Sequence, residues 1–233
     1  VCVFKVTPQP QGASLKQLVN IFTFSDEHFE DQAIKVKKLF YKFNARRLVV
    51  DGNGLGIGFV DYLVKPQIDP DTNEVFPDFG VYNDDEGYYK KYRTENCEQD
   101  ALYIVKANAP INNEAHSTAQ TQLSSGKVKF LIDERVAKTK LLGTVKGNNM
   151  KPEERAEYLK PFTLTSILKE EMMNLREENE GVNIILKQAN RGIRKDKFSA
   201  FEYGLYYIKQ EEDSKKKKKR FNAKEWKFYT SGR

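Results

Sequence analysis

The stretch ARRLVVDGNGLGIGFVDYLV, residues 45–64, decides how the chain is read. A short β-branched run ends in Asp51, glycines follow at 52, 54, 56 and 58, and amphipathic sequence resumes until Pro66. Strand, glycine turn and helix in that order are the building unit of α/β domains. Asp, Asn and Gly tolerate positive φ and bond back to their own backbone, so DGNG is good turn chemistry with no further role. The carboxyl end of a strand is also where α/β sheets bind ligands, so Asp51 reads equally well as a ligand-binding acid. A dinucleotide fingerprint is excluded: the positions three after each G-x-G pair hold Ile57, Phe59 and Asp61, where G-x-G-x-x-G requires glycine. No G-x-x-x-x-G-K-[ST] phosphate loop occurs in the chain, which argues against ATP binding by that route.

Working outward, VCVFKV and LKQLVNIFTF read as strands joined by a turn at TPQPQG. Residues 25–43 carry Phe29, Ala33, Val36 and Phe40 at helical spacing, with Ser25 or Asp26 as N-cap. Residues 66–100 are rich in Pro, Asp, Asn and Tyr and read as a long surface excursion. ALYIVKA is a strand, residues 112–126 a helix stopped by Gly126, and KVKFLI a further strand. Residues 151–178 are helical in composition but interrupted at Pro161. VNIILKQ and NRGIRK suggest a strand and turn, part of a hairpin. The helix over 196–212 sets Phe198, Phe201, Leu205 and Ile208 on one face. Residues 1–212 are thus expected to form one domain, a mixed central sheet of five or more strands flanked by helices, and 213–233 a basic tail.

The chain has 39 Lys and Arg against 33 Asp and Glu, a formal charge of +6, which permits a nucleic-acid partner without demanding one. Cys2 and Cys97 alone make no disulfide framework, as expected of a reducing compartment. No run approaches the length of a membrane span and no signal-peptide pattern opens the chain, so a soluble intracellular protein with no membrane partner is expected.

Asp196, in RKDKFSAFEYG, is the second acid of interest. At a helix start it can be a cap favoured by the helix dipole. Taken as an ordered pair, LVVDGNGLGIGFVDYL (48–63) and KDKFSAFEYGLYYI (195–208) resemble the nuclease domain of phage terminase large subunits, and the intervening LSSGKVKFLI is similar to that family's helix and strand before the last third. The resemblance covers about residues 1–210 and implies an RNase H-like fold. It implies two-metal hydrolysis of phosphodiester bonds in concatemeric double-stranded DNA, with Mg²⁺ or Mn²⁺ ions about 4 Å apart activating water and stabilising the leaving oxygen. Hard cations take oxygen ligands, and the family's acids carry over to Asp51 and Asp196 as metal-binding, catalytic residues. The family's first acid lies on a strand ahead of the one VCVFKV matches, so that strand and its acid are expected to be missing from this sequence. Implied partners are double-stranded DNA, an upstream ATPase domain, the portal and a small terminase subunit. The implied location is the host cytoplasm, transiently at the viral procapsid. A resolvase- or recombinase-type nuclease of the same fold, and a non-catalytic DNA-binding or portal-docking module, are the alternatives.

Arg191, Arg194 and Lys195 precede Asp196 and are expected to hold the DNA backbone, while the lysine run of the tail adds diffuse attraction. Asp61 follows Asp51 at about 15 Å if the intervening chain is helical, too far to share a metal. Asp84, Asp85 and Glu86 fall in a loop and are weak metal candidates. His28 and His116 read as ordinary hydrogen-bonded histidines. Cys97, with acidic neighbours, reads as inert, and Met172 and Met173 as core.

Overall fold

The computed structural model describes residues 1–224 apart from Gln11 and Asp26. Asp26, one of the two expected caps, lies outside the described residues, as does the chain after Lys224. The described chain forms ten strands and seven α-helices, a mixed α/β architecture with small sheets.

Strands β1 (Cys2–Thr7) and β2 (Leu15–Ile21) pair antiparallel, and β8 (Val128–Lys129) adds to β2 in parallel. A second sheet has the order β3 (Leu48–Asp51), β7 (Glu98–Val105), β6 (Phe79–Val81) and is parallel throughout. Strands β4 (Gln67–Ile68) and β5 (Val75–Phe76) form a small hairpin, and β9 (Leu175–Glu180) with β10 (Asn183–Gln188) a larger one. The described strands therefore form two three-stranded and two two-stranded sheets, not one sheet of five or more. Periodicity reports which face of a strand is buried; it carries nothing about which strand lies beside it.

The chain divides into two compact units. The first comprises Val1, Phe22–Asn112 and Asn179–Ile185. Its core lies between the parallel sheet and two helices, α1 (Phe29–Lys42) and α2 (Leu55–Leu63). Ala33, Val36 and Phe40 of α1 and Val60 and Leu63 of α2 meet Phe79, Val81, Leu102 and Ile104. The cap of α1 is His28, whose Nδ1 accepts from the Glu30 amide at 3.3 Å, rather than Ser25. Lys37 is fully buried on α1. Its Nζ donates to the carbonyls of Lys65 and Pro77 at 2.6 and 2.7 Å, and burial lowers its pKa to about 8. Residues 66–100 are more than a surface excursion, because all three residues of β6 are buried. So short a strand, entered through Pro77 and Asp78 and containing Gly80, carries no alternation to read. Asp78 is itself buried and accepts from the Thr94 amide and hydroxyl.

The second unit comprises Cys2–Ile21, Asn113–Glu178 and the chain from Leu186. Its core joins Leu18 and Ile21 of β2, Ala119 of α3 (Ala109–Ser124), Leu164 and Leu168 of α6 (Pro152–Met173), and Phe198, Phe201 and Leu205 of α7 (Asp196–Lys224). The expected apolar face of α7 is buried, and Phe201 stacks on Phe130 at 5.5 Å. Two further helices, α4 (Glu134–Leu142) and α5 (Val145–Asn149), are capped by Asp133 and Thr144. Their buried residues are just Ala137, Leu141 and Gly147, too few to make a periodic stripe in the sequence.

Helix α6 does not break at Pro161. A proline inside a helix removes one hydrogen bond at a cost of about 3 kcal/mol, and burial of Leu164, Thr165 and Leu168 on one face outweighs it. The Thr165 hydroxyl donates to the Pro161 carbonyl at 2.8 Å. Met172 packs against the core as expected, whereas Met173, expected there too, is exposed. Helix α7 runs without interruption past Glu212 into the lysine-rich segment. Glu212 is anchored from within this unit, its Oε1 accepting from the Ser14 amide and the fully buried Lys16 ammonium, both at 2.9 Å. Among the described residues no helix is long and apolar enough to cross a membrane.

Candidate functional site

In the first unit, Asp51 ends β3 opposite Val105, at the edge where the parallel strands β3 and β7 both finish. The turn after it is stitched to that edge. The Gly52 amide donates to the Val105 carbonyl at 2.8 Å, and Asn53 Nδ2 to the Ala107 carbonyl at 2.7 Å. Asn83, just past β6, donates to and accepts from the backbone of Ile104 at 2.8 and 3.0 Å. Asp51 is exposed, and its Oδ1 accepts from the Asn53 amide at 3.0 Å. The acid thus has a turn role through one oxygen.

Two glycines of the motif have identifiable reasons. Gly54 caps α2 at φ 56° and ψ −123°, a conformation open essentially to glycine. Gly56 lies against the backbone of Asp51: a Cβ there would stand 1.8 Å from the Asp51 carbonyl oxygen. The glycines therefore press α2 onto the acid's own backbone.

In the second unit, Asp196 is the first residue of α7 and is exposed. The cap position before it is Lys195, whose side chain has no acceptor. The N-cap role falls to Glu171 instead. This carboxylate, 1 % exposed, accepts from the Phe198 amide at 2.9 Å and from Lys197 Nζ at 3.0 Å. Asp196 is therefore not spent as a cap, and among the described residues its carboxylate accepts no hydrogen bond or ion pair.

The loop carrying Arg191, Arg194 and Lys195 is pinned from one side. Asn174, at the end of α6, accepts from the Asn190 amide at 2.9 Å through Oδ1 and donates to the Asn190 carbonyl at 2.9 Å through Nδ2; its own carbonyl takes the Ala189 amide at 2.8 Å. Asn190 Oδ1 holds the Gly192 amide, and Gln188 Nε2 the Ile193 carbonyl. Arg191, Arg194 and Lys195 are all exposed, and none makes an ion pair among the described residues.

Other acids have duties elsewhere. Asp84 accepts from the Tyr89 amide at 2.9 Å and fixes its loop. Burial, then the charges of Asp61 and others including Asp84, raise the Tyr89 phenol. Asp61, Asp85 and Glu86 are exposed. His28 is the helix cap described above, and His116 Nδ1 pairs with Glu202 Oε2 at 2.6 Å. Burial, with Asp78 beside it, pushes the Cys97 thiol up to about 12, the opposite of an activated thiolate. Among the described residues no group of three or more His, Cys, Asp or Glu is arranged to hold a metal ion. Asp51 belongs to the first unit and Asp196 to the second. Glu171 and Asn174 were missed in the sequence, where they are unremarkable helix residues; a lysine at the cap position of a helix is the one local sign that a cap must come from elsewhere. Comparison with family models, curated proteins and solved structures finds no match.

Proposed function

We propose that the chain is the RNase H-like, metal-dependent endonuclease domain of a viral DNA-packaging terminase. Asp51 and Asp196 serve as metal ligands and Arg191, Arg194 and Lys195 as phosphate contacts. The observation that carries the reading is the uncommitted, exposed Asp196 carboxylate beside a pinned loop of unpaired cations. A hard divalent cation needs an oxygen donor of that kind, and a DNA backbone needs cations held next to it. When bound, Mg²⁺ or Mn²⁺ would supply an activated water and stabilise the departing oxygen. The protein's own part is to hold the two acids on rigid element ends and to orient the phosphate with the arginines.

The test is nicking of supercoiled plasmid with Mn²⁺ or Mg²⁺, by this chain and by the chain extended upstream of Val1. Asp51→Asn and Asp196→Asn keep shape but remove ligand charge, and each is expected to abolish cleavage with the fold intact. Because ligands of one reaction act as a unit, the double variant should be no worse than either single one. Cleavage by either single variant at the parent rate would return that aspartate to a turn or helix-start role. A non-catalytic DNA-binding module is the second reading, favoured by the hydrogen bond that ties Asp51 into its own turn. Duplex binding with no metal-dependent nicking in either chain would decide for it.

A further inference from the structure

The last turn of α6 touches the candidate site twice. Glu171 is 1 % exposed and holds the α7 start through the Phe198 amide and Lys197. Asn174, three residues on and 8 % exposed, holds the basic loop through both backbone groups of Asn190 and through Ala189. Residues three apart lie on one side of a helix, so the two contacts come from one face. Between the two anchored points lie Arg191, Arg194, Lys195 and Asp196. A buried charge aimed at a helix start could be replaced by a local Ser, Thr or Asp at position 195, which would cap at no desolvation cost. That position holds a lysine exposed to solvent instead. A local cap is absent, an exposed cation stands in its place, and the carboxylate that does the capping is delivered from a neighbouring helix.

We propose that Glu171 and Asn174 are positioning residues: together they form a two-point clamp that sets the Asp196 carboxylate and the loop of Arg191, Arg194 and Lys195 as one rigid body. Neither touches substrate. Glu171 fixes where α7 begins and so which way Asp196 faces, while Asn174 fixes the height of the loop above it. The clamp itself rests on the hydrogen bonds; its consequence for DNA rests on the function proposed above.

The experiment uses the full chain with Asn174→Ala, Glu171→Ala and Glu171→Gln. Ile208→Val is the control, since it loosens a buried position on the same helix without touching the clamp. Amide exchange is read at Ala189, Asn190 and Phe198, and affinity for a short DNA duplex is measured across a salt series. Asn174→Ala should speed exchange at 190, and Glu171→Ala at 198, each on the order of tenfold beyond the control, while 189, bonded to a main-chain carbonyl that alanine keeps, changes less. Glu171→Gln keeps an acceptor for the Phe198 amide and should recover most of that protection. Duplex affinity should fall about three- to tenfold in Asn174→Ala with the salt slope unchanged, because no cation is lost but the cations lose their fixed spacing. Exchange and affinity changes no larger than those of Ile208→Val would overturn the clamp. If the parent binds no duplex, the terminase reading fails, and the exchange measurements alone decide whether the clamp exists.

Discussion

Gly56→Ala tests whether the helix after Asp51 is pressed onto the acid as closely as the structure has it. The new Cβ would lie 1.8 Å from the Asp51 carbonyl oxygen, where contacts under 3.0 Å are essentially never found. The two must separate by about 1.2 Å, and the obstacle is backbone on both sides, so no side-chain rotation relieves it. Overpacking of this kind costs about 1–3 kcal/mol. The better helix propensity of alanine returns somewhat under 1 kcal/mol, so net destabilisation is expected. On the nuclease reading proposed above, a displacement near 1 Å at Asp51 would lower the rate on the order of a hundredfold. Gly58→Ala is the matched control. Its Cβ would meet the Phe29 ring at 3.3 Å, which a small ring shift accommodates, so that variant should be as stable as the parent or slightly more so. Unfolding in urea gives the stability difference and metal-dependent nicking gives the rate. A Gly56→Ala protein with parental stability and nicking, or equal damage from Gly58→Ala, would show that the close approach does not govern the site.

Lys37 offers a test by pH. Its folded pKa of about 8 lies below the ordinary 10.5, so between those values the unfolded chain holds a proton that the folded chain has shed, and stability rises with pH. Cys2 and Cys97, pushed up from 9.0 to about 11 and about 12, and Tyr41, pushed up from 10.0 to about 12, act in the opposite sense, the thiols from about pH 8 upward. Between pH 8 and 9 Lys37 contributes about 1 kcal/mol of rise, and the two thiols offset much of it, so the lysine's part is read as the difference between parent and variant. Lys37→Met should turn the slope of stability against pH downward in urea unfolding, and a parental slope in that variant would refute the assignment. For the DNA contact, Arg191→Ala with Arg194→Ala should depress nicking far more than binding. Truncation after Asp213, which keeps the Glu212 anchor and the Lys209–Asp213 pair, should weaken binding chiefly at low salt and flatten its salt dependence. Equal loss of nicking and binding in the arginine variant, or an unchanged salt slope on truncation, would refute this division of labour.

Some elements were plain in the sequence because their signal is local. The β3–turn–α2 unit is written in a β-branched run and alternating glycines, and the buried face of α7 in Phe198, Phe201, Leu205 and Ile208. Of the β9–β10 hairpin only the second strand is legible, in VNIILKQ: its turn lies before that strand, at Gly181 and Val182, and β9 falls in a stretch whose composition reads as helical. What could not be read depends on distant partners. Sheet order follows from pairings such as Val50 with Ile104 and Lys16 with Val128, which leave no periodic trace. Helix α6 survives Pro161 because of what its other face buries. Of the site, Asp51, Asp196 and the basic loop stood out by residue type and position, whereas Glu171 and Asn174 act on backbone groups 27 and 16 residues away.

The anchoring of Glu212 by Ser14 and Lys16 has a consequence for how the chain reaches its native state. The second unit is assembled from the two ends of the described sequence, whereas Phe22–Asn112 of the first is continuous. On a ribosome adding about 5–20 residues per second, the continuous stretch is available for folding while β1 and β2 still lack the helix that covers them. The hundred or so residues from Asn112 to Asp213 then take roughly 5–20 s to emerge. During that interval the apolar side chains of Phe4, Leu18 and Ile21 have no Phe201 or Leu205 to bury them. Such a delay exposes an unfinished sheet to other nascent chains. Circular permutation that brings β1 and β2 next to α7 in the order of synthesis would remove the wait and raise the yield of folded protein.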